Sequence, residues 1–223
     1  MDAGVALSVV VPVLNEARGV RAFLEALAPL RREGVEVVVV DGGSEDGTPD
    51  VARGLCDQLL TAPRGRARQM NAGARAARGA RLVFLHADTR LPPRALQAIR
   101  DALEHHAWGR FDVRIEGRHP MLPVIACAMN ARSRLTGIAT GDQAIFVRRE
   151  AFEGFPDLPL MEDVAFSKAM KRKARPACLR ARVRTSGRRW EKRGVLATLL
   201  LMWRLRLAFA LGADPAHLAE RYR

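Results

Sequence analysis

The first part of the chain repeats one pattern: an apolar run that stops at a polar cluster, then a helical pattern. Ala6–Val13 is rich in β-branched residues and is followed by Asn15-Glu16. Val35–Val40 stops at Asp41-Gly42-Gly43-Ser44. The short run Gln58–Thr61 is followed by Arg64-Gly65-Arg66-Ala67-Arg68, and Arg81–His86 ends in His86-Ala87-Asp88. Continuous β-branched runs suit strands covered on both faces. Between them, Arg18–Leu30 brings Phe23, Leu24, Leu27 and Leu30 to one side of a helix. Thr48 is placed to cap a second helix that opens with Pro49. Ala67–Ala77 and Pro93–His105 also read as helices. Alternation of this length implies an α/β fold, with a mostly parallel sheet flanked by helices on both faces.

The second half is less regular. Phe111–Glu116 alternates like a half-exposed strand, Leu122–Leu135 is helical, and Ala144–Val147 is a strand. Met161–Lys173 carries acids at its start and bases at its end, which suits the helix dipole. Ala177–Arg184 reads as a last strand, Trp190–Leu211 as one long helix, and a short helix follows Pro215. No repeat, linker or low-complexity stretch divides the chain, so one domain is expected over 1–223. Within it, 1–105 and 106–190 are expected as two halves and 191–223 as the C-terminal helices. The 48% of hydrophobic residues excludes disorder as the main state. Cys56, Cys127 and Cys178 are an odd number without metal spacing, and read as buried small side chains in a reducing compartment. The N-terminus lacks a basic leader region and reads as a strand, so a cytoplasmic location is expected.

Ligands of open α/β sheets sit at the carboxyl ends of the strands, where all four polar clusters fall. A carboxylate such as Asp41 between close-approaching backbone can accept from a base or ribose. Asp88, after a buried strand, can offer oxygen to Mg²⁺ or Mn²⁺. Arginines can neutralise a diphosphate. The formal charge of +13 is carried almost wholly by arginine, lysine occurring only at Lys168, Lys171, Lys173 and Lys192. That charge fits an anionic partner: a nucleotide, an acidic membrane or a nucleic acid. Neither a dinucleotide fingerprint nor a Walker sequence is present. Two rivals are weaker. A sugar-phosphate nucleotidyltransferase would show a glycine-rich loop after its first strand. A nucleic-acid binder would show stacking aromatics or a known binding motif, so no nucleic-acid partner is expected.

The strings VVVPVLNEA, VVVVDGGSEDGT, GRARQMNAGA, FLHADT and MEDVAFSKAMKR, in this order, resemble the inverting family 2 glycosyltransferases of GT-A fold. The likeness runs from about Ala6 to Trp190. It is nearest to small bacterial members with HADT and SGRRW variants, a subgroup labelled arsenosugar-biosynthesis glycosyltransferases. The resemblance implies transfer of one sugar from a UDP- or GDP-sugar to an acceptor hydroxyl. It places Pro12, Asn15 and Glu16 at the nucleoside and Asp41 at the base edge, with Ser44 and Asp46 shaping that loop. Arg66 and Asn71 would face the nucleotide and its phosphates, and Arg189 and Trp190 would belong to the cofactor-binding set; by the same likeness 1–105 would be the nucleotide-binding half and 106–190 the acceptor and catalytic half. Asp88 would hold the metal, with His86 where the family has a first aspartate. Asp163, beside Glu162, would be the general base, and Gly141-Asp142 would shape the sugar and acceptor pocket. The family's processive members carry a glutamine before the Arg-Trp pair. Its lack in Ser186-Gly187-Arg188-Arg189-Trp190 implies a single transfer.

Val195–Leu211 is too short and too charged to span a bilayer. At helical spacing, Leu196, Leu199, Leu200, Trp203 and Leu207 share one face, and Leu201, Met202, Leu205 and Phe209 the other. Two apolar stripes imply two contacts. One is the domain; the other is either a membrane interface, at the inner face of the membrane, or a second copy of the chain.

Overall fold

The computed structural model describes residues 6–222. In chain order they form β1 (Ser8–Val13), α1 (Ala17–Arg32), β2 (Glu36–Asp41), α2 (Thr48–Ala52), β3 (Gln58–Thr61), α3 (Arg66–Ala76), β4 (Arg81–Phe84) and β5 (Thr89–Arg90). There follow α4 (Ala95–His105), β6 (Trp108–Glu116), α5 (Leu122–Thr136), β7 (Ile145–Arg148) and α6 (Glu162–Lys173). The chain ends with β8 (Ala177–Ser186), α7 (Arg188–Arg193), α8 (Val195–Ala210) and α9 (Pro215–Tyr222).

One eight-stranded sheet runs through both halves in the order β3-β2-β1-β4-β7-β6-β8-β5. The β3-β2-β1-β4 block is parallel, β7 is antiparallel to both neighbours, and β6 and β8 are parallel to each other. Side chains alternate between the two sheet faces. On one face Val9, Val11, Val37, Val39, Val83 and Leu85 share a core with α1, α4 and α5. On the other, Val10, Val38, Val40, Leu82 and Phe84 pack with Met70 and Ala74 of α3 and with Phe166 and Met170 of α6. This double cover is why the strands read as unbroken β-branched runs. Each such valine is worth roughly 1.5–3 kcal/mol of burial. The first four strands therefore hold their carboxyl ends in line.

Several expectations need correction. β6 is buried without a break from Trp108 to Val113, because strands pair with it on both edges and α5 packs on it; the expected alternation holds from Val113 to Glu116, where Arg114 and Glu116 are exposed. Thr48 does not cap α2. Gly47 takes that place at φ +81°, and the Thr48 hydroxyl accepts the Glu16 amide N–H at 2.8 Å instead. The long C-terminal helix is two helices, broken at Gly194, whose φ of +82° is open to glycine at little cost. Cys127 is exposed, while Cys56 and Cys178 are half-buried. Among the described residues no helix is long and apolar enough to cross a membrane.

Candidate active site

The loops after β1 and β2 are stitched together by side chains from both. The Asp41 carboxylate is buried and accepts the amides of Gly43 (2.8 Å) and Ser44 (2.9 Å) and the Ser44 hydroxyl (2.5 Å). Ser44 Oγ in turn accepts the Asn15 amide at 2.8 Å, and Asn15 Oδ1 accepts the Glu45 amide at 2.9 Å. Asp46 accepts the Ala17 amide at 3.0 Å and the Thr48 hydroxyl at 2.5 Å. Asn15 is held in the left-handed region at φ +54°, a conformation asparagine tolerates better than most residues. Asp41, Ser44, Asp46 and Asn15 thus define the shape of one rim. Gln69 anchors it from beneath, its buried amide donating to the carbonyls of Val13 and Val40 at 2.8 Å each. Sequence reasoning passed over Gln69, although it sits inside the GRARQMNAGA string.

Past β4, His86 meets the second half of the chain. His86, Gly141, Glu162 and Asp163 line one small cavity with Met70, Phe84, Ile145 and Phe155. Asp163 Oδ2 accepts the Gly141 amide at 2.8 Å, and Oδ1 accepts the Val164 amide at 2.7 Å. Its carboxylate is therefore aimed by backbone from two elements. A Cβ on Gly141 would lie 2.4 Å from His86 Cε1, so the close approach of ring and loop requires glycine. His86 Nδ1 stands 3.6 Å from Asp142 Oδ1. Against desolvation that would raise it, His86, Arg66 and Arg189 hold the Asp142 carboxyl below its ordinary value. Glu162 is buried, and burial together with the charge of Asp163 pushes its carboxyl up.

The remaining predicted residues fall around the same edge. Pro12 lies on β1 opposite Val40, half-buried. Burial pushes the Glu16 carboxyl up, against the Arg188 guanidinium 3.6 Å away, and the charge of Asp88 adds to the rise. Arg66 opens α3, exposed, and its charge reaches Asp142, Glu162 and Arg189. Arg189 is drawn down by burial and by the positive charges of Arg66 and Arg193, and lies over the Tyr222 ring at 4.5 Å. Two residues are placed otherwise than expected. The Asn71 amide is spent on the Phe155 backbone, donating to its carbonyl and accepting its N–H at 2.8 Å each. Trp190 packs against the hydrophobic core. Arg188, which sequence reasoning did not single out, is the partner of Glu16.

A metal has partial support from the protein alone. No group of three His, Cys, Asp or Glu side chains among the described residues could hold an ion. Asp88 is exposed, and its one hydrogen bond is a weak one from the Thr89 hydroxyl at 3.3 Å. One hard carboxylate fits Mg²⁺ or Mn²⁺, which keep waters and take phosphate oxygens from a substrate. The donor set therefore fits a cation that arrives with a diphosphate.

The family model described as "Glycosyl transferase family 2" matches residues 8–155, which include the β1, β2, α3 and β4 motifs. The chain belongs to glycosyl transferase family 2. Two curated relatives are shorter matches. Succinoglycan biosynthesis protein ExoA of Rhizobium meliloti is 45% identical over 51 residues, 22% of this chain and 16% of that protein. An uncharacterised glycosyltransferase of Nostoc sp. is 30% identical over 105 residues, 44% of this chain and 33% of that protein. The family 2 chain thus matches a third or less of the length of either relative. Among solved structures, S. aureus TarS in complex with UDP superposes with a TM-score of 0.65 at 19% identity, over 81% of this chain and 60% of that one. A mannosyltransferase from Pyrobaculum calidifontis, in complex with GDP-Man and Mn²⁺, gives 0.64 at 24% identity, over 91% and 60%. They share the fold, and the expected GT-A architecture is the one this family 2 chain has.

Proposed function

We propose that this chain moves a single sugar from a nucleoside-diphosphate sugar to an acceptor hydroxyl, with inversion at the anomeric carbon. The observation that carries the reading is the convergence of His86, Gly141, Glu162 and Asp163 on one cavity, from segments far apart in sequence. In this reading the β1 and β2 rim takes the nucleoside, Asp41 lending the base edge what acceptor capacity its loop leaves free. Arg66 and Arg189 face the diphosphate, which gains negative charge as the glycosidic bond breaks. Their stabilisation of that charge is worth most in the transition state. Asp88 would hold Mg²⁺ or Mn²⁺ with the phosphate oxygens, and the cation would supply further neutralisation of the leaving group. The acceptor oxygen attacks the anomeric carbon from the opposite side and its proton passes to Asp163. The two backbone N–H groups keep that carboxylate aimed while lone pairs stay free. One base and one displacement give inversion.

The known complexes support the donor class: TarS binds UDP, and the Pyrobaculum enzyme GDP-Man with Mn²⁺. The narrower arsenosugar reading rests on the strings His86–Thr89 and Ser186–Trp190 alone. The outward stripe of α8 is proposed as a contact face, for a membrane interface or for a second copy. A thermal-shift screen of UDP-, GDP- and dTDP-sugars, with and without Mn²⁺, tests the donor assignment. One sugar nucleotide should raise Tm, more so with Mn²⁺, and Asp88→Ala should cancel the metal increment. No shift with any nucleotide overturns the reading; full turnover in strong chelator removes the metal.

A further inference from the structure

The loop between β7 and α6 is pinned to α3 at two points. Asn71 Nδ2 donates to the Phe155 carbonyl and Asn71 Oδ1 accepts the Phe155 N–H, at 2.8 Å each. Three positions earlier, and so on the same flank of the helix, Arg68 Nε donates to the Asp157 carboxylate at 2.9 and 3.0 Å. Gly154 turns the chain towards this flank at φ +109°, a value that favours glycine. Phe155 lies outside strands and helices, where backbone groups lack ladder partners, and Asn71 satisfies both of its own.

The ring that this clamp holds stands between the two elements that carry the candidate chemistry. Phe155 is buried, and its ring lies edge-on to Phe84 at 4.7 Å between centroids and tilted against Phe166 at 4.5 Å. Phe84 ends β4, two residues before His86. Phe166 lies on α6, three residues after Asp163 and therefore on the same side of that helix. Phe155 also lines the cavity shared by His86, Gly141, Glu162 and Asp163. A shift of its backbone would thus move one wall of that cavity. The other side of the clamp is equally placed, because α3 opens with Arg66, assigned above to the diphosphate.

Resting on the reading of Asp163 as the base, we propose that Asn71 is a positioning residue for transfer: by holding the Phe155 backbone it fixes the aromatic wall of the Asp163 cavity and so sets the reacting carbon against the base. Asn71 acts through Phe155 and does not touch the nucleotide. Transfer needs the attacking oxygen, the anomeric carbon and the base in line, and a misplacement of about 1 Å costs on the order of 10²-fold in rate. The two hydrogen bonds give α3 a rigid link to the cavity, so the helix that bears Arg66 and the wall beside Asp163 keep one fixed separation.

The test uses the full chain and the sugar nucleotide that raises its Tm. Release of the nucleoside diphosphate, with water as acceptor, gives kcat, and calorimetry gives the affinity for the free nucleotide. Asn71→Ala should lower kcat about 10- to 100-fold while nucleotide affinity stays within about twofold. Phe155→Leu, which keeps an apolar side chain but withdraws the ring from the wall, should lower kcat with the same unchanged affinity. The double variant should fall no further than the deeper single one, because both act on one wall. A merely structural role would not give this split between kcat and affinity together with non-additive losses. Unchanged kcat in Asn71→Ala, losses that multiply in the double variant, or a fall in nucleotide affinity of a cooperatively melting Asn71→Ala each overturn the proposal. If Asn71→Ala does not melt cooperatively, Phe155→Leu decides: lowered kcat at unchanged affinity supports the wall, and unchanged kcat overturns it. An unmodified chain that binds its sugar nucleotide and releases no diphosphate is a separate result, which overturns the reading of Asp163 and this proposal with it.

Discussion

Asp163 sits in the first turn of α6 with both oxygens held by amides, one from Gly141 and one from its own helix. Replacing it with asparagine keeps the shape but turns one oxygen into an NH₂ that cannot take a proton. Asp163→Asn should lower kcat about 10²- to 10⁴-fold while leaving nucleotide affinity within about twofold, read by product release and calorimetry. Turnover equal to the unmodified chain would remove Asp163 as the base. The residue itself was legible in the sequence, as an acid at a helix start preceded by matching motifs. Its orientation was not, because the amide that fixes it comes from a loop 22 positions away. Asn71 shows the opposite case. A polar side chain inside a nucleotide motif proves to clamp the Phe155 backbone, and only the partner's position reveals it.

At the scale of elements, α8 carries the clearest unspent surface. Leu205 is buried at 2% exposure, whereas Leu196 (66%), Leu200 (59%), Trp203 (72%) and Leu207 (63%) face outward. The two-stripe pattern was readable from helical spacing, and the structure assigns the inner stripe to the α6 and α9 side. Trp203→Ser with Leu207→Ser removes exposed apolar surface only, so stability should change by less than about 0.5 kcal/mol. The double variant should also lose the second contact, read by vesicle flotation with anionic lipid and by sedimentation equilibrium. An unmodified chain that neither floats nor dimerises would eliminate both candidates. The break at Gly194 was marked in the sequence by a glycine between the charged Glu191-Lys192-Arg193 and the apolar stretch from Val195, a junction that a single helix from Trp190 to Leu211 passes over.

Across the whole molecule, the parallel block is tied at its amino end by a buried acid. Glu36 is 2% exposed and accepts from Ser8 Oγ (2.5 Å), the Arg78 amide (2.7 Å), Arg78 Nε (2.7 Å) and Gln58 Nε2 (2.8 Å). Burial alone would raise its carboxyl, but these bonds win and lower it from 4.5 to about 2. A depressed carboxylate stabilises the fold above its unfolded value and loses that effect as pH falls through the folded one. The network should contribute about 3 kcal/mol above pH 4.5, declining towards pH 2. Glu36→Gln should flatten the change in urea midpoint over that window; an unaltered pH dependence would refute the assignment. The α/β class, the succession of strands and helices along the first half and the motifs at the strand ends were legible in the sequence. Those depend on local periodicity and on burial along each strand. Only the tertiary structure showed that β6 is covered from Trp108 to Val113, that the Gly141 amide aims the Asp163 carboxylate and that Asn71 clamps the Phe155 backbone. Each of these depends on what a distant segment brings within a few ångströms, and one-dimensional spacing holds no such distance.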